Sequence, residues 1–92
     1  MIVSIRFDSQ VRRLAGCSHT TVDVDEAATL IQIIERVADQ GTESLRTALL
    51  DEAQVPRSSL LVFLNDELVA KDQLVALRDG AELTLTTLIS GG

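Results

Sequence analysis

Ala28-Thr29-Leu30-Ile31-Gln32-Ile33-Ile34-Glu35-Arg36-Val37-Ala38-Asp39-Gln40 gathers its apolar residues into one stripe. Leu30, Ile33, Ile34, Val37 and Ala38 recur at i, i+3, i+4, i+7 and i+8, the spacing of a helix with one face against a core. The stretch predicts a helix over 28–40. Asp25 and Glu26 stand near its start, where negative charge suits the helix dipole, and Gly41 ends it. Such a helix must cover something, so its flanks decide the fold class.

Upstream, Ile2 to Phe7 alternates, with Val3, Ile5 and Phe7 on one face and Ser4, Arg6 and Asp8 on the other. Period two with β-branched residues predicts a half-buried strand. Ser9 to Ala15 places Val11, Leu14 and Ala15 at helical spacing, with Ser9 as N-cap and Gly16 as the stop. Thr20 to Val24 alternates again and should pair with the first strand. Downstream, Glu43 to Glu52 predicts a shorter helix capped by Thr42, with Leu45, Leu49 and Leu50 inward. Pro56 and Ser58-Ser59 mark a loop. Leu60 to Leu64 is continuously apolar, the pattern of a strand covered on both faces or of a central strand. Asn65-Asp66 turns into a short strand over 67–69. Arg78-Asp79-Gly80 is a second turn, and Glu82 to Thr87 alternates with Leu83 and Leu85 inward. The order is an α+β arrangement: a mixed sheet of four to five strands packed on one main helix. Residues 1–87 form the domain and 88–92 a tail.

The chain has 92 residues and a net charge of −6, from 14 acidic and 8 basic side chains. One domain of this size holds a modest core and little room for a deep substrate pocket. An acidic surface repels phosphate backbones, and with Phe7 and Phe63 the only aromatics there is no stacking platform, so nucleic-acid binding is excluded as a function class. No run approaches the ~20 apolar residues of a membrane span. Cys17 is the only cysteine, so no internal disulfide is possible, and the N-terminus lacks the apolar run of a signal peptide. A cytoplasmic protein is expected.

No catalytic constellation stands out. Cys17 and His19, the only histidine, are two residues apart without an orienting third group, and they are too few for a structural zinc site. Asp25-Glu26 and Asp51-Glu52 read as solvated charges. What remains is the end, Leu88-Ile89-Ser90-Gly91-Gly92. At a glycine frequency of roughly 7%, two terminal glycines arise by chance in about 0.5% of chains, so the pair is a signal. Glycines lack Cβ, so such a tail can thread a narrow channel and present its carbonyl unobstructed. A partner enzyme using ATP can adenylate that carboxylate, and a sulfur donor can open the mixed anhydride to a thiocarboxylate. The chain then supplies no acid, base or metal, and its body is the recognition handle.

Four segments sharpen this. Phe7-Asp8-Ser9-Gln10-Val11-Arg12-Arg13-Leu14-Ala15-Gly16 resembles the segment after the first strand in the small subunit of molybdopterin synthase, a MoaD/ThiS-like sulfur carrier. Phe63-Leu64-Asn65-Asp66-Glu67 is similar to that family's strand ending in an Asn turn. Leu77-Arg78-Asp79-Gly80-Ala81-Glu82-Leu83 looks like its L-x-D-G-D-E-V turn, and Ser90-Gly91-Gly92 matches its closing T/S-G-G. The resemblance implies the ubiquitin-like β-grasp fold and activation at Gly92 by an E1-like adenylating enzyme, related to ubiquitin activators. Leu88, Ile89, Ser90 and Gly91 would thread into that partner. No cofactor would be bound, ATP being used by the partner, and the chain would be the sulfur-donating subunit of a synthase rather than an enzyme alone. The second partner would be the synthase large subunit or another sulfur-accepting enzyme. The sequence departs from the family at Asp8, where a second aromatic is common, at Ala81, where an acidic residue is usual, and at Leu85-Thr86-Thr87-Leu88, where aromatics and a Pro-Pro pair are common.

Two other readings share this fold. One is a protein modifier joined through Gly92 to lysines, for which Lys71, the only lysine, would be the one site for chains of itself. The other is a non-covalent binding module with an inert tail. Related carriers also serve thiamine, cysteine and tRNA thiolation.

Overall fold

The computed structural model describes residues 1–87. The elements run β1 (Ile2–Phe7), α1 (Ser9–Ala15), β2 (His19–Asp23), α2 (Leu30–Gln40), α3 (Glu43–Leu49), β3 (Leu60–Leu64), β4 (Glu67–Val69) and β5 (Glu82–Thr87). Five strands form one sheet in the order β2-β1-β5-β3-β4. β1 is antiparallel to β2, with Ile5 opposite Thr20, and parallel to β5, with Ile5 opposite Leu83. β3 is antiparallel to both β5 and β4. The last strand is therefore the central one, held on both sides. Its parallel partner β1 requires a long crossover, which the helices supply.

Alternation puts Val3, Ile5, Phe7, Val22, Val62, Leu83 and Leu85 on the inner face of the sheet, where all are buried. The α2 stripe of Leu30, Ile33, Ile34, Val37 and Ala38 joins them in one cluster with Val11, Leu45 and Leu49 from α1 and α3. Full burial of each large aliphatic side chain contributes about 1.5–3 kcal/mol. The mixed sheet with helices on one face matches the expected arrangement, with α1 and α3 as smaller covers beside α2.

Several local expectations shift. α2 begins at Leu30, not Ala28, because Thr29 caps it. Its hydroxyl accepts from Gln32 N (3.1 Å), and the Gln32 side chain accepts from Thr29 N (2.9 Å). This reciprocal box satisfies two otherwise unpaired donors. Asp25 is not part of the first turn; its carboxylate accepts from Ala27 N in the turn before it. Asp8, not Ser9, is the N-cap of α1. Asp8 N is already bound to Leu85 O (3.1 Å), so the chain leaves the sheet there and Ser9 turns with φ +56°. Gly16 closes α1 at φ +77°, where a side chain would be strained. α3 stops at Leu49, since Leu50 bridges to Pro56. β2 starts and ends one residue earlier than expected. β3 lies one strand from the edge and is covered on one face only, with Leu61 and Phe63 half-buried on the other.

Two turns lock β5 in place. Asn65 and Asp66 both have positive φ (47° and 71°), a two-residue hairpin loop of the kind that matches strand twist. Asn65 exchanges hydrogen bonds with Glu82, its N–H to Glu82 O (2.9 Å) and its side-chain oxygen from Glu82 N (3.1 Å). Asp79 accepts from Ile2 N (2.8 Å), and Gly80 N donates to Ile2 O (3.0 Å).

The capping box gives a small, clean expectation. Thr29→Ala will lower stability by about 1 kcal/mol, read as a lower urea midpoint at unchanged slope. An unchanged midpoint would show that packing alone starts α2.

Candidate functional site

The residues singled out at the chain end, Leu88, Ile89, Ser90, Gly91 and Gly92, lie outside the described residues. The structure describes the platform that carries them. β5 ends at Thr87, paired to Leu60 of β3, while Phe7 at the end of β1 pairs with Leu85. Thus the described chain ends on the middle strand of the sheet. The departures from the family pattern at Asp8 and Leu85 also meet here, through the Asp8 N to Leu85 O bond.

An open groove of about 300 Å³ adjoins Thr87. α1 contributes Gln10, Val11 and Leu14, and α3 contributes Ser44, Thr47 and Ala48. Arg57 and Ser59 complete it, and the Arg57 side chain donates to Thr47 O (2.5 Å). Among the described residues the lining offers hydrogen-bonding groups and one guanidinium, with no carboxylate, histidine or cysteine. The Thr87 hydroxyl is buried and has no hydrogen-bond partner among the described residues.

The opposite face of the sheet is open. Leu61 and Phe63 on β3 are half-buried there, and Leu68 on β4, opposite Phe63, is 60% exposed. Thr84 stands between Arg6 and Phe63 in register and is the one buried polar residue among those described. Polar groups rim the face: Arg6 pairs with Asp8 (3.6 Å), and the His19 ring lies 3.9 Å from the Glu82 carboxylate. A small apolar centre with a polar rim has the makings of a protein-docking face. Sequence periodicity did not single out Leu61 and Phe63, whose continuously apolar run read as a strand covered on both faces or a central one.

Cys17 and His19 are not brought together as a reactive pair. Cys17 is exposed in the bend after α1, and His19 opens β2 with its ring toward Glu82. Among the described residues no three metal-ligating side chains cluster, and no helix is long and apolar enough to cross a membrane.

A five-stranded mixed sheet gripping helices on one face defines a ubiquitin-like β-grasp protein. The model of the ThiS family matches residues 5–92, and the chain belongs to that family, of the ThiS/MoaD-type ubiquitin-like sulfur carriers or modifiers. Among solved structures it is similar to SAMP1 from Haloferax volcanii, at 23% identity over 100% of both chains with a TM-score of 0.87. It is similar to Urm1 from Trypanosoma brucei, at 18% identity over 99% of this chain and 95% of that one, TM-score 0.73. It also resembles a chain in the complex of subunits 1 and 2 of the molybdopterin-converting factor from Helicobacter pylori, at 22% identity over 100% of both chains, TM-score 0.62. These identities speak to the fold alone. No curated protein matches the chain.

Proposed function

We propose that the chain is a sulfur carrier whose Gly92 carboxylate is adenylated by an E1-like partner and converted to a thiocarboxylate for cofactor biosynthesis, with molybdopterin as the favoured product. A carboxylate oxygen of Gly92 attacks the α-phosphorus of ATP and pyrophosphate leaves. A persulfide on the sulfur donor then attacks the carbonyl carbon and AMP leaves. A thiol cleaves the resulting acyl disulfide, giving the thiocarboxylate and a donor disulfide. ATP belongs to the partner, and this chain binds no cofactor of its own.

The observation that carries this reading is the family match, which extends through Gly91 and Gly92, on a body whose last described strand is the central one. The open face around Leu61, Phe63 and Leu68 would be its handle for the activating enzyme and then for a synthase large subunit. The complex of two molybdopterin-converting subunits supports that second partner. The lone free Cys17 fits a reducing, cytoplasmic setting. The likeness to SAMP1, and to Urm1, supports a second reading, conjugation of Gly92 to lysines of other proteins.

Intact-mass analysis of the chain made together with its adenylating partner separates the two. A carrier will gain one sulfur in place of one oxygen, and deletion of Gly92 will abolish the gain. Covalent adducts to other proteins, lost on removal of Gly91-Gly92, would mark a modifier instead. A mass that never changes with the partner present overturns both.

A further inference from the structure

Lys71 is the only lysine of the chain, against seven arginines. Its ammonium is half-buried and donates to two backbone carbonyls, Arg57 O (2.6 Å) and Leu60 O (2.8 Å). It thereby ties the loop after β4 to the entry of β3. The exposed cationic side chains are arginines throughout the described residues: Arg6, Arg12, Arg13, Arg36 and Arg78. A guanidinium stays protonated at any physiological pH and has no lone pair to offer, whereas an exposed lysine exchanges its proton and becomes a nucleophile.

That distribution matters for a chain whose own end is activated. In an acyl adenylate, an amine nitrogen can attack the Gly92 carbonyl carbon. AMP leaves with the bonding pair, the nitrogen loses a proton, and an amide forms. Any accessible lysine on a second copy would capture the activated end this way and waste it. We propose that the chain's single side-chain amine is withdrawn into a two-carbonyl cradle, so that activated copies do not couple to one another through Lys71. This inference rests on the reading that Gly92 is activated. To attack, Lys71 must lose its proton and leave both acceptors, and leaving them also loosens the 57–60 segment that feeds β3.

Acetylation with an N-hydroxysuccinimide ester, followed by peptide mapping, tests this without any activating enzyme. In the folded chain Lys71 will react at least about tenfold more slowly than in the same chain in urea, the factor one net hydrogen bond of ordinary strength supplies. A smaller ratio overturns the proposal. An Arg36→Lys variant, whose new amine stands exposed on α2, will react at its unfolded rate and calibrates the folded sample. A chemically prepared C-terminal thioester of the full chain then gives the functional readout. Hydrolysis without a Lys71-linked dimer supports the proposal, and such a dimer overturns it. Failure of the carrier reading shows differently, as no sulfur gained from the adenylating partner, whatever Lys71 does here.

Discussion

Replacing Leu83 with alanine will lower the stability of the domain by about 2–5 kcal/mol. Leu83 is fully buried in the middle of β5, opposite Ile5 of β1 and Leu64 of β3. Truncation leaves a cavity where the two halves of the sheet meet, and the strands on either side are pinned by their own hydrogen bonds, so the site cannot collapse to fill it. A chain of 92 residues has roughly 5–14 kcal/mol of stability in total. One side chain therefore removes a large share, and the urea midpoint will fall steeply at unchanged slope. Thr86→Ala, three positions along and on the open face, will change stability by no more than about 1 kcal/mol. Equal effects at the two positions would show that β5 is not a central strand buried on one side.

The contrast between Leu83 and Thr86 was legible in the sequence, because period two alone assigns them to opposite faces. The same holds for the α2 stripe, whose five apolar residues are all buried. What periodicity could not supply was strand order. Nothing local in Glu82–Thr87 says that it lies between β1 and β3; that follows from registers such as Ser4 opposite Glu82, set by residues far apart in the chain. The misread start of α2 has a specific cause. Asp25 and Glu26 fit the dipole argument, but Thr29 and Gln32 close a reciprocal pair, and two specific hydrogen bonds outweigh a screened charge. At β3, a run of five apolar residues gave no sign of which face stays open. The answer is an uncovered face on which Leu61 and Phe63 are left outside the core.

The candidate site divides along the same line. The end proposed to react was read from two glycines and a terminal carboxylate, that is, from residue type alone. Its platform was not, since the groove by Thr87 gathers α1, α3 and the 57–59 loop. Lys71 shows the limit most sharply. The sequence marks it as the one possible self-acceptor, whereas its two carbonyl partners lie 14 and 11 residues upstream, where only the fold brings them within reach.

Gly91→Val will leave the body intact and disable the end. The substitution follows β5 in sequence and replaces none of the residues of the described core cluster, so the thermal midpoint will match the wild type and stability will change by no more than about 0.5 kcal/mol. Activation is another matter. On the proposed reading, the partner brings the Gly92 carbonyl to ATP through a passage sized for a chain without side chains. A β-branched residue one position back adds bulk there and stiffens the backbone that must bend. Adenylation, followed as ATP–pyrophosphate exchange with the partner enzyme, will lose at least about 100-fold in kcat/KM, or about 2.7 kcal/mol of transition-state stabilisation. Gly91→Ala, with one methyl and no branch, will fall between the two. Leu83→Ala and Gly91→Val thus damage opposite halves of the molecule, the first losing fold and the second losing only chemistry. A Gly91→Val chain adenylated at the wild-type rate would mean that the end is not threaded, and the case for a slim, activatable terminus would fail with it.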